Sequence, residues 1–346
     1  MQYQSTRDKN LKASSAQAVL NGLAPDGGLY TMPSFDEARF DYREVLDLDT
    51  FAMSAKILSK LLTDFSEEKM AKLVREGYAG KFETDHLTPT VPVGEDFILE
   101  LFRGPTSAFK DVALSMLPRL MTASKEKLGV DDEIMILTAT SGDTGKAAME
   151  GFCDVPGTKI IVFYPHGGVS AVQQAQMATQ AGENVCVCAV RGNFDDAQTG
   201  VKNIFAAVGR EKLLEGKGVS LSSANSINIG RLAPQVVYYY RAYADLVQAG
   251  RIREGDNRIL VVASAGNTAR AFAKVCSDNN IPLLLSVPEE NISALWFDRP
   301  LNPCVKLICP ERGGDYFDAI FLSNLALKSR KFYAEGGAKN VPRRDG

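Results

Sequence analysis

The sequence predicts an α/β protein in which parallel strands alternate with helices on both faces of the sheet. Three observations carry this expectation. Apolar runs of strand length recur, Ile134-Met-Ile-Leu137, Lys159-Ile-Ile-Val-Phe163 and Val185-Cys-Val-Cys-Ala-Val190, with helical stretches expected near 173–177 and 197–208. A further run, Arg258-Ile-Leu-Val-Val262, opens another cycle of the same kind. That cycle also echoes the first: a shift of 124 residues lays Ala263-Ser-Ala-Gly-Asn-Thr-Ala-Arg-Ala271 on Ala139-Thr-Ser-Gly-Asp-Thr-Gly-Lys-Ala147. The echo continues as Ser286-Val-Pro288 against Phe163-Tyr-Pro165. After one inserted residue, it also aligns Arg312-Gly-Gly-Asp-Tyr-Phe-Asp-Ala319 with Arg191-Gly-Asn-Phe-Asp-Asp-Ala197. Agreement at three places in one order favours a shared origin over chance resemblance between two βαβ units.

Composition bounds the function. At 346 residues, with 45% hydrophobic and 23% charged positions, the chain has material for about two domains with proper cores. The net charge of −3, from 39 basic and 42 acidic residues, argues against a nucleic-acid binder. Two histidines, His86 and His166, leave little for histidine-based metal sites or triads. None of the six cysteines falls in a Cys-x-x-Cys pair, and Cys186 and Cys188 read as small hydrophobes in a buried strand. No stretch approaches the roughly 20 apolar residues that span a bilayer, and the N-terminus has no signal-like apolar core. Together these predict a cytoplasmic protein with no membrane partner.

Along the chain, the first thirty-five residues read as loop, ending in the turn-rich Gly22-Leu-Ala-Pro-Asp-Gly-Gly-Leu-Tyr30. Residues 51–76 have helical spacing, with Phe51, Ala55, Leu58, Leu61, Leu62 and Phe65 followed, after a cap signal at Ser66, by Met70 and Val74. A strand, Phe97-Ile-Leu-Glu-Leu-Phe102, leads into Gly104-Pro-Thr-Ser-Ala-Phe-Lys-Asp111, then into a helix that Pro118 is expected to kink. Three stretches result. Residues 1–95 form a mixed helical segment contributing to the large domain. Residues 96–255 hold the lysine-bearing strand and the α/β core, and residues 256–346 hold the echoing α/β segment.

Two places carry candidate chemistry. Lys110 lies between Phe109 and Asp111, after a Gly-Pro turn and at the start of a helix, so its amine is expected in a partly dry setting. Desolvation disfavours the ammonium and frees the neutral amine to act as nucleophile or base. The loop Thr140-Ser-Gly-Asp-Thr-Gly145 opens a helix after an apolar strand. Backbone amides and hydroxyls at such a helix start suit a carboxylate or a phosphate. By itself that string also reads as an ordinary helix cap.

Four strings together resemble threonine synthase: Gly104-Pro-Thr-Ser-Ala-Phe-Lys-Asp111, Thr138-Ala-Thr-Ser-Gly-Asp-Thr-Gly-Lys-Ala147, Gly192-Asn-Phe-Asp-Asp-Ala-Gln198 and Asn225-Ser-Ile-Asn-Ile-Gly-Arg231. Tyr3-Gln-Ser-Thr-Arg7 and residues 22–30 are similar to the same family's N-terminus, so the resemblance runs from residue 1 to about 255. It implies a tryptophan-synthase-β-like α/β fold (PLP fold type II) and pyridoxal 5′-phosphate as cofactor. The implied reaction converts O-phosphohomoserine and water to threonine and phosphate. Residue by residue, it makes Lys110 the Schiff-base lysine and proton shuttle, flanked by Phe109. Asp143 falls on the cofactor's oxygen side, and Ser141, Gly142 and Thr144 on the substrate carboxylate. Asn225, Ser226, Asn228 and Arg231 come near the leaving phosphate, for which Arg231 offers a matching planar fork. Arg103 stands where the family has a histidine.

From about residue 258 the chain resembles cysteate synthase, a relative in the same group, through Ser264-Ala-Gly-Asn-Thr-Ala-Arg-Ala-Phe272, Gly314-Asp-Tyr-Phe-Asp-Ala319 and Glu335-Gly-Gly-Ala-Lys-Asn-Val-Pro-Arg-Arg-Asp-Gly346. The threonine synthase loop that cradles the cofactor phosphate reads Pro-Thr-Gly-Asn-Phe-Gly. Here Gly266 and Asn267 fit it, while Thr268 and Ala269 replace its Phe and second Gly. The family's C-terminal part is therefore expected to be truncated or replaced. Two other functions stay open: a cysteate synthase-like exchange of sulfite for phosphate on O-phosphoserine, and a catalytically silent protein of the same fold.

Overall fold

The opening residues, expected as loop, instead form a small antiparallel sheet in the computed structural model, which describes residues 1–94, 96–253, 260–263, 267–278, 280–289, 292, 301–310 and 316–328. Strands β1 (Tyr3–Ser5), β2 (Lys12–Ala13) and β3 (Tyr30–Thr31) pair in the order β2-β1-β3, with helix α1 (Ser15–Asn21) set between β2 and β3. Strands of two or three residues are too short to show the alternation that marks a strand in sequence. Ser14 and Gln17 close a capping box at the start of α1.

A short 3-10 turn and α2 (Arg43–Leu46) lead to α3 (Thr50–Leu61) and α4 (Glu67–Tyr78), the helical region expected over 51–76. Asp49 and Ser66 cap them by accepting from Ala52 N and Lys69 N. The strand expected at 97–102 is shorter. Strand β5 (Asp96–Leu99) pairs back on β4 (Thr90–Val93), and no strand continues from Leu99 to the lysine. Helix α5 (Asp111–Leu128) follows and runs on through Pro118.

The centre is a parallel sheet of β6 (Glu133–Ala139), β7 (Thr158–Pro165), β8 (Val185–Val190) and β9 (Val219–Ser222), ordered β8-β7-β6-β9. Helices α6 (Asp143–Phe152), α7 (Ala171–Ala178) and α8 (Phe194–Glu211) make the crossovers, and α9 (Ile229–Leu232) and α10 (Val236–Gln248) follow β9. Alternate strand residues face opposite layers. Ile134, Ile136, Ile160 and Val162 join a core with α5 and α6, while Leu137 and Ala139 pack with Ala197 and Val201 of α8. Strand β8 corrects one expectation: it is the sheet's edge, with Cys186 exposed and Cys188 half-buried. A strand paired on one side only keeps part of its surface in solvent.

Helices α5 and α6 meet at close range for a reason written in two residues. Proline has no N–H, so Pro118 leaves the Leu114 carbonyl without its helical partner. A Cβ on Gly151 would lie 2.0 Å from that same oxygen. The missing side chain lets α6 settle on α5.

The chain divides into two units, Met1–Ile252 and Arg253–Gly346. The second holds β10 (Leu260–Ala263), α11 (Asn267–Asp278), β11 (Leu283–Ser286), β12 (Val305–Ile308) and α12 (Tyr316–Lys328). Its strands are parallel and ordered β10-β11-β12, the same sequence-to-space order as β6-β7-β8. Helix α12 packs on β10 and β11 as α8 does on β6 and β7. Ala273, Cys276, Leu283, Leu285, Val287 and Val305 form its core. Among the described residues no helix is long and apolar enough to cross a membrane. No group of three or more His, Cys, Asp or Glu among them is placed to hold a metal.

Candidate active site

The order of the central sheet locates the site. From β6 the chain steps through β7 to β8 on one side, and then returns to lay β9 on the other side of β6. Connections leaving the C-terminal ends of β6 and β9 therefore diverge, and the crevice between them is where open α/β sheets bind ligands. The loop after β6 carries Ser141, Gly142, Asp143 and Thr144, and the loop after β9 carries Asn225, Ser226, Asn228 and, at α9, Arg231. A hydrogen bond of 3.2 Å from Asn225 Nδ2 to the Ala139 carbonyl ties the two loops together.

Within the first loop, the buried Thr140 Oγ1 accepts from the amides of Gly142 and Gly145 at 2.9 and 2.8 Å. That fixes the first turn of α6, whose positive end favours an anion. Gly142 has φ of +144°, and a Cβ there would come within 2.4 Å of the Gln173 side chain. The positive φ favours glycine there, and a side chain would also have to displace the end of Gln173. Gly142 is buried, Ser141 is exposed, and Asp143 and Thr144 are half-buried.

Lys110 comes from a different part of the chain, as the residue preceding α5. Its Nζ lies 2.6 Å from Asp143 Oδ2 and 4.3 Å from the centre of the Phe109 ring, with the lysine side chain only 17% exposed. The partly dry amine expected from sequence is present, and it is paired with a carboxylate. The close α5–α6 contact at Gly151 holds together the two helices whose first turns meet at this pair.

Arg231 is the buried charge of the site, 3% exposed. One of its terminal nitrogens donates to Gln235 Oε1, and Gln235 Nε2 in turn donates to Tyr238 Oη at 2.8 Å. Burial pushes its guanidinium down to about 10, against the opposing pull of Tyr238 and Asp143. It stays cationic at neutral pH. Its Nε has no partner, and neither has Thr138 Oγ1 near the end of β6 nor Ser222 Oγ at the end of β9. Buried polar atoms are normally paired, so the unpartnered Nε leaves Arg231 a donor suited to a polar ligand.

Not every expected residue turns to the crevice. Asn228, expected near the leaving phosphate, is fully buried with its side chain engaged elsewhere. Its Nδ2 donates to the Val19 and Ser223 carbonyls at 3.0 and 3.2 Å, and its Oδ1 accepts from Gly230 N at 2.8 Å. It caps α9 and binds the loop to α1. Ser226 is exposed on the same loop. Arg103 is held by Glu100 and Glu83 at 2.6 Å each, as an ion-paired residue. Gly266 lies outside the described residues, and Asn267, Thr268 and Ala269 open α11 in the second unit. Sequence reasoning assigned no role to Thr140, Gln235, Tyr238 or Asp111; for Thr140 and Asp111, their places inside the two motifs were the available signal.

The chain is similar to known proteins over most of its residues. Residues 2–78 match the family described as threonine synthase N terminus. The threonine synthase of Pseudomonas aeruginosa is 38% identical over 251 residues, covering 71% of this chain and 51% of the relative. The Escherichia coli enzyme is 37% identical over 283 residues, covering 79% and 61%. The crystal structure of PLP-bound threonine synthase from Brucella melitensis superposes with a TM-score of 0.67 at 34% identity, over 83% of this chain and 60% of that one. The chain thus spans about half to three fifths of the length of these relatives. The α/β fold expected from the motifs is the one they share. By sequence over most of its residues, and by fold, this chain is a relative of the threonine synthases.

Proposed function

We propose that this chain carries out the pyridoxal-phosphate-dependent conversion of O-phosphohomoserine and water to threonine and phosphate. The observation that carries the reading is the convergence of Lys110, Asp143 and the buried Arg231 at the β6/β9 crevice. An amine, a carboxylate and a desolvated planar cation are what a cofactor aldehyde, a proton-transfer step and a phosphoester require. The residues fit the cofactor: Lys110 would hold it, Phe109 would flank it and Asp143 would lie by its oxygen. When bound, pyridoxal phosphate supplies an electron sink for negative charge next to the amino-bearing carbon.

The chain's own groups do the rest. Lys110 Nζ moves protons at the substrate's Cα and Cβ, and Asp143, 2.6 Å away, keeps that nitrogen in place as it gains and loses them. Ser141, Gly142 and Thr144 present the positive first turn of α6 to the substrate carboxylate. Arg231 meets the phosphate with a fork already desolvated, so little solvent must be shed on binding. Asn225 fixes the distance between the two loops, Ser226 lies exposed on the second, and Asn228 shapes the turn that delivers Arg231. A small phosphoamino acid partner and a cytoplasmic location go with this reading.

The test is to add pyridoxal phosphate to the purified chain, record the absorbance of lysine-bound cofactor, and repeat with Lys110→Ala. Phosphate release is then followed on O-phosphohomoserine, and on O-phosphoserine with and without sulfite. A spectrum that is absent, or indifferent to Lys110, would sink the proposal. Sulfite-dependent release from O-phosphoserine alone would instead support the exchange of sulfite for phosphate. A Lys110-dependent spectrum without turnover on either substrate would mark a silent member of the fold.

A further inference from the structure

The residue after the lysine is buried and does not point at the site. Asp111 is 2% exposed, and its carboxylate turns back into the loop that precedes it. Oδ2 accepts from Thr106 N at 2.8 Å and from Ala108 N at 3.4 Å, and Oδ1 accepts from Thr106 Oγ1 at 2.5 Å. Its own amide donates to the Ala108 carbonyl at 2.9 Å, and Ser107 N donates to the Gly104 carbonyl at 3.1 Å. The segment thus closed, Gly104 to Asp111, contains a strained position, Ser107 with φ of +57°. It also contains a position with no room for a side chain, because a Cβ on Gly104 would lie 2.5 Å from Asp111 Cβ and Oδ2. A loop that keeps a non-glycine residue in the left-handed region must be held by something, and here the acceptors are those of Asp111.

We propose that Asp111 is the positioning residue for Lys110, fixing the 104–110 turn so that the lysine amine has a single approach, between the Phe109 ring and Asp143. Lys110 is the last residue of that turn and the first to precede α5, so its backbone direction follows from the turn and the helix together. Asp111 touches neither partner of the amine; it acts through the three donors of Thr106 and Ala108. What it supplies is acceptor geometry. An asparagine can supply most of this: its oxygen accepts the two amides, and its NH2 can donate to Thr106 Oγ1. An alanine supplies none of it. The proposal rests on Lys110 being the reactive amine of the function proposed above, and its first readout needs no cofactor.

The experiment compares the chain with Asp111→Asn, Asp111→Ala and Thr106→Val. Each is treated briefly with an amine-acylating reagent, and labelling at Lys110 is quantified by mass spectrometry relative to the exposed Lys217. In the parent, the pairing with Asp143 and Phe109 protects Lys110. Asp111→Ala is expected to raise its relative labelling about tenfold, Thr106→Val to fall between, and Asp111→Asn to stay within about twofold of the parent. A second readout is attachment of pyridoxal phosphate to Lys110 after borohydride reduction, expected to fall at least tenfold in Asp111→Ala and to be retained in Asp111→Asn. Unchanged labelling in Asp111→Ala would overturn the proposal, as would equal damage by Asn and Ala, which would assign the effect to charge. If Asp111→Ala does not fold, the graded pair Thr106→Val and Asp111→Asn decides alone: no rise in labelling in Thr106→Val overturns the proposal. If the parent binds no cofactor but the labelling series holds, the proposed function fails and the positioning role stands.

Discussion

Replacing Arg231 by methionine separates what the site costs from what it does. The guanidinium is 3% exposed and burial pushes it down to about 10, well below the ordinary arginine range. Keeping it charged therefore costs the folded chain about 3 kcal/mol. Methionine has a similar length, no charge and rotamers that fill irregular space. It also loses the bond to Gln235, at about 1 kcal/mol, so Arg231→Met is expected to be more stable than the parent by about 1–2 kcal/mol at neutral pH. The sign with pH follows from a base whose folded value is depressed. Below about 10 both states carry the charge and the full penalty applies; from there up to the ordinary arginine range the folded chain sheds the proton first and the penalty fades. The variant's advantage is thus largest at neutral pH and shrinks in strong base. Urea unfolding measures it, run with and without inorganic phosphate. Phosphate should stabilise the parent through binding to the folded state alone, and should do little for the variant. An Arg231→Met chain that is less stable than the parent, and as responsive to phosphate, would refute both the buried-charge cost and the assignment of Arg231 to the phosphate.

Three further outcomes follow from the same structure. Gly151→Ala pushes a methyl group onto the Leu114 carbonyl and should destabilise by about 2–3 kcal/mol in urea; a neutral result would refute the close α5–α6 contact. Thr140→Val removes the acceptor for two buried amides and should cost about 1–3 kcal/mol, together with a loss of carboxylate-dependent protection in thermal melts, whereas Thr140→Ser should restore both. Burial raises the Asp111 carboxyl above its ordinary value, although the Thr106 and Ala108 donors pull it down. The folded chain then holds that proton more tightly than the unfolded one, so this group's contribution to stability falls as pH climbs from the ordinary carboxylate range through the raised value. Asp111→Asn should flatten that part of a stability–pH curve measured by unfolding.

Much of this was legible because strands inside a parallel sheet write long apolar runs, as β6 and β7 do. The N-terminal sheet was not legible, since strands of two and three residues leave no pattern and hold through register and the anchoring of Tyr3 on the Leu61 carbonyl. The edge position of β8 was also hidden. Val185-Cys-Val-Cys-Ala-Val190 reads as buried, and only the spatial order of strands shows that one side lacks a neighbour. In the site, residue type pointed to Lys110 as a partly dry amine, and its side chain is mostly buried, but it left the pairing with Asp143 unread. It misplaced Asn228, because an amide that serves a phosphate and one that caps a helix are the same side chain until its partners are known. Asp111 was overlooked for a related reason: its place next to Lys110 does not tell which way its carboxylate turns, and here it binds the loop behind it.

The repeat within the chain shows why a similar string need not make a similar site. β10-β11-β12 reproduces the order of β6-β7-β8, and α11 begins where the shift of 124 residues places the start of α6. The first unit gains its crevice from a fourth strand, β9, laid on the far side of β6, so that two loops part over one pair of strand ends. Among the described residues of the second unit, every strand steps the same way from β10, and no strand pairs on β10's other side. A helix start alone attracts an anion weakly, by up to about 1 kcal/mol when exposed to water. The convergence of a lysine, a carboxylate and a buried arginine needs the reversal in strand order. Asn267 and Thr268 thus repeat the place of α6's first turn at the start of α11, while Lys110, Asp143 and Arg231 meet only at the four-stranded sheet.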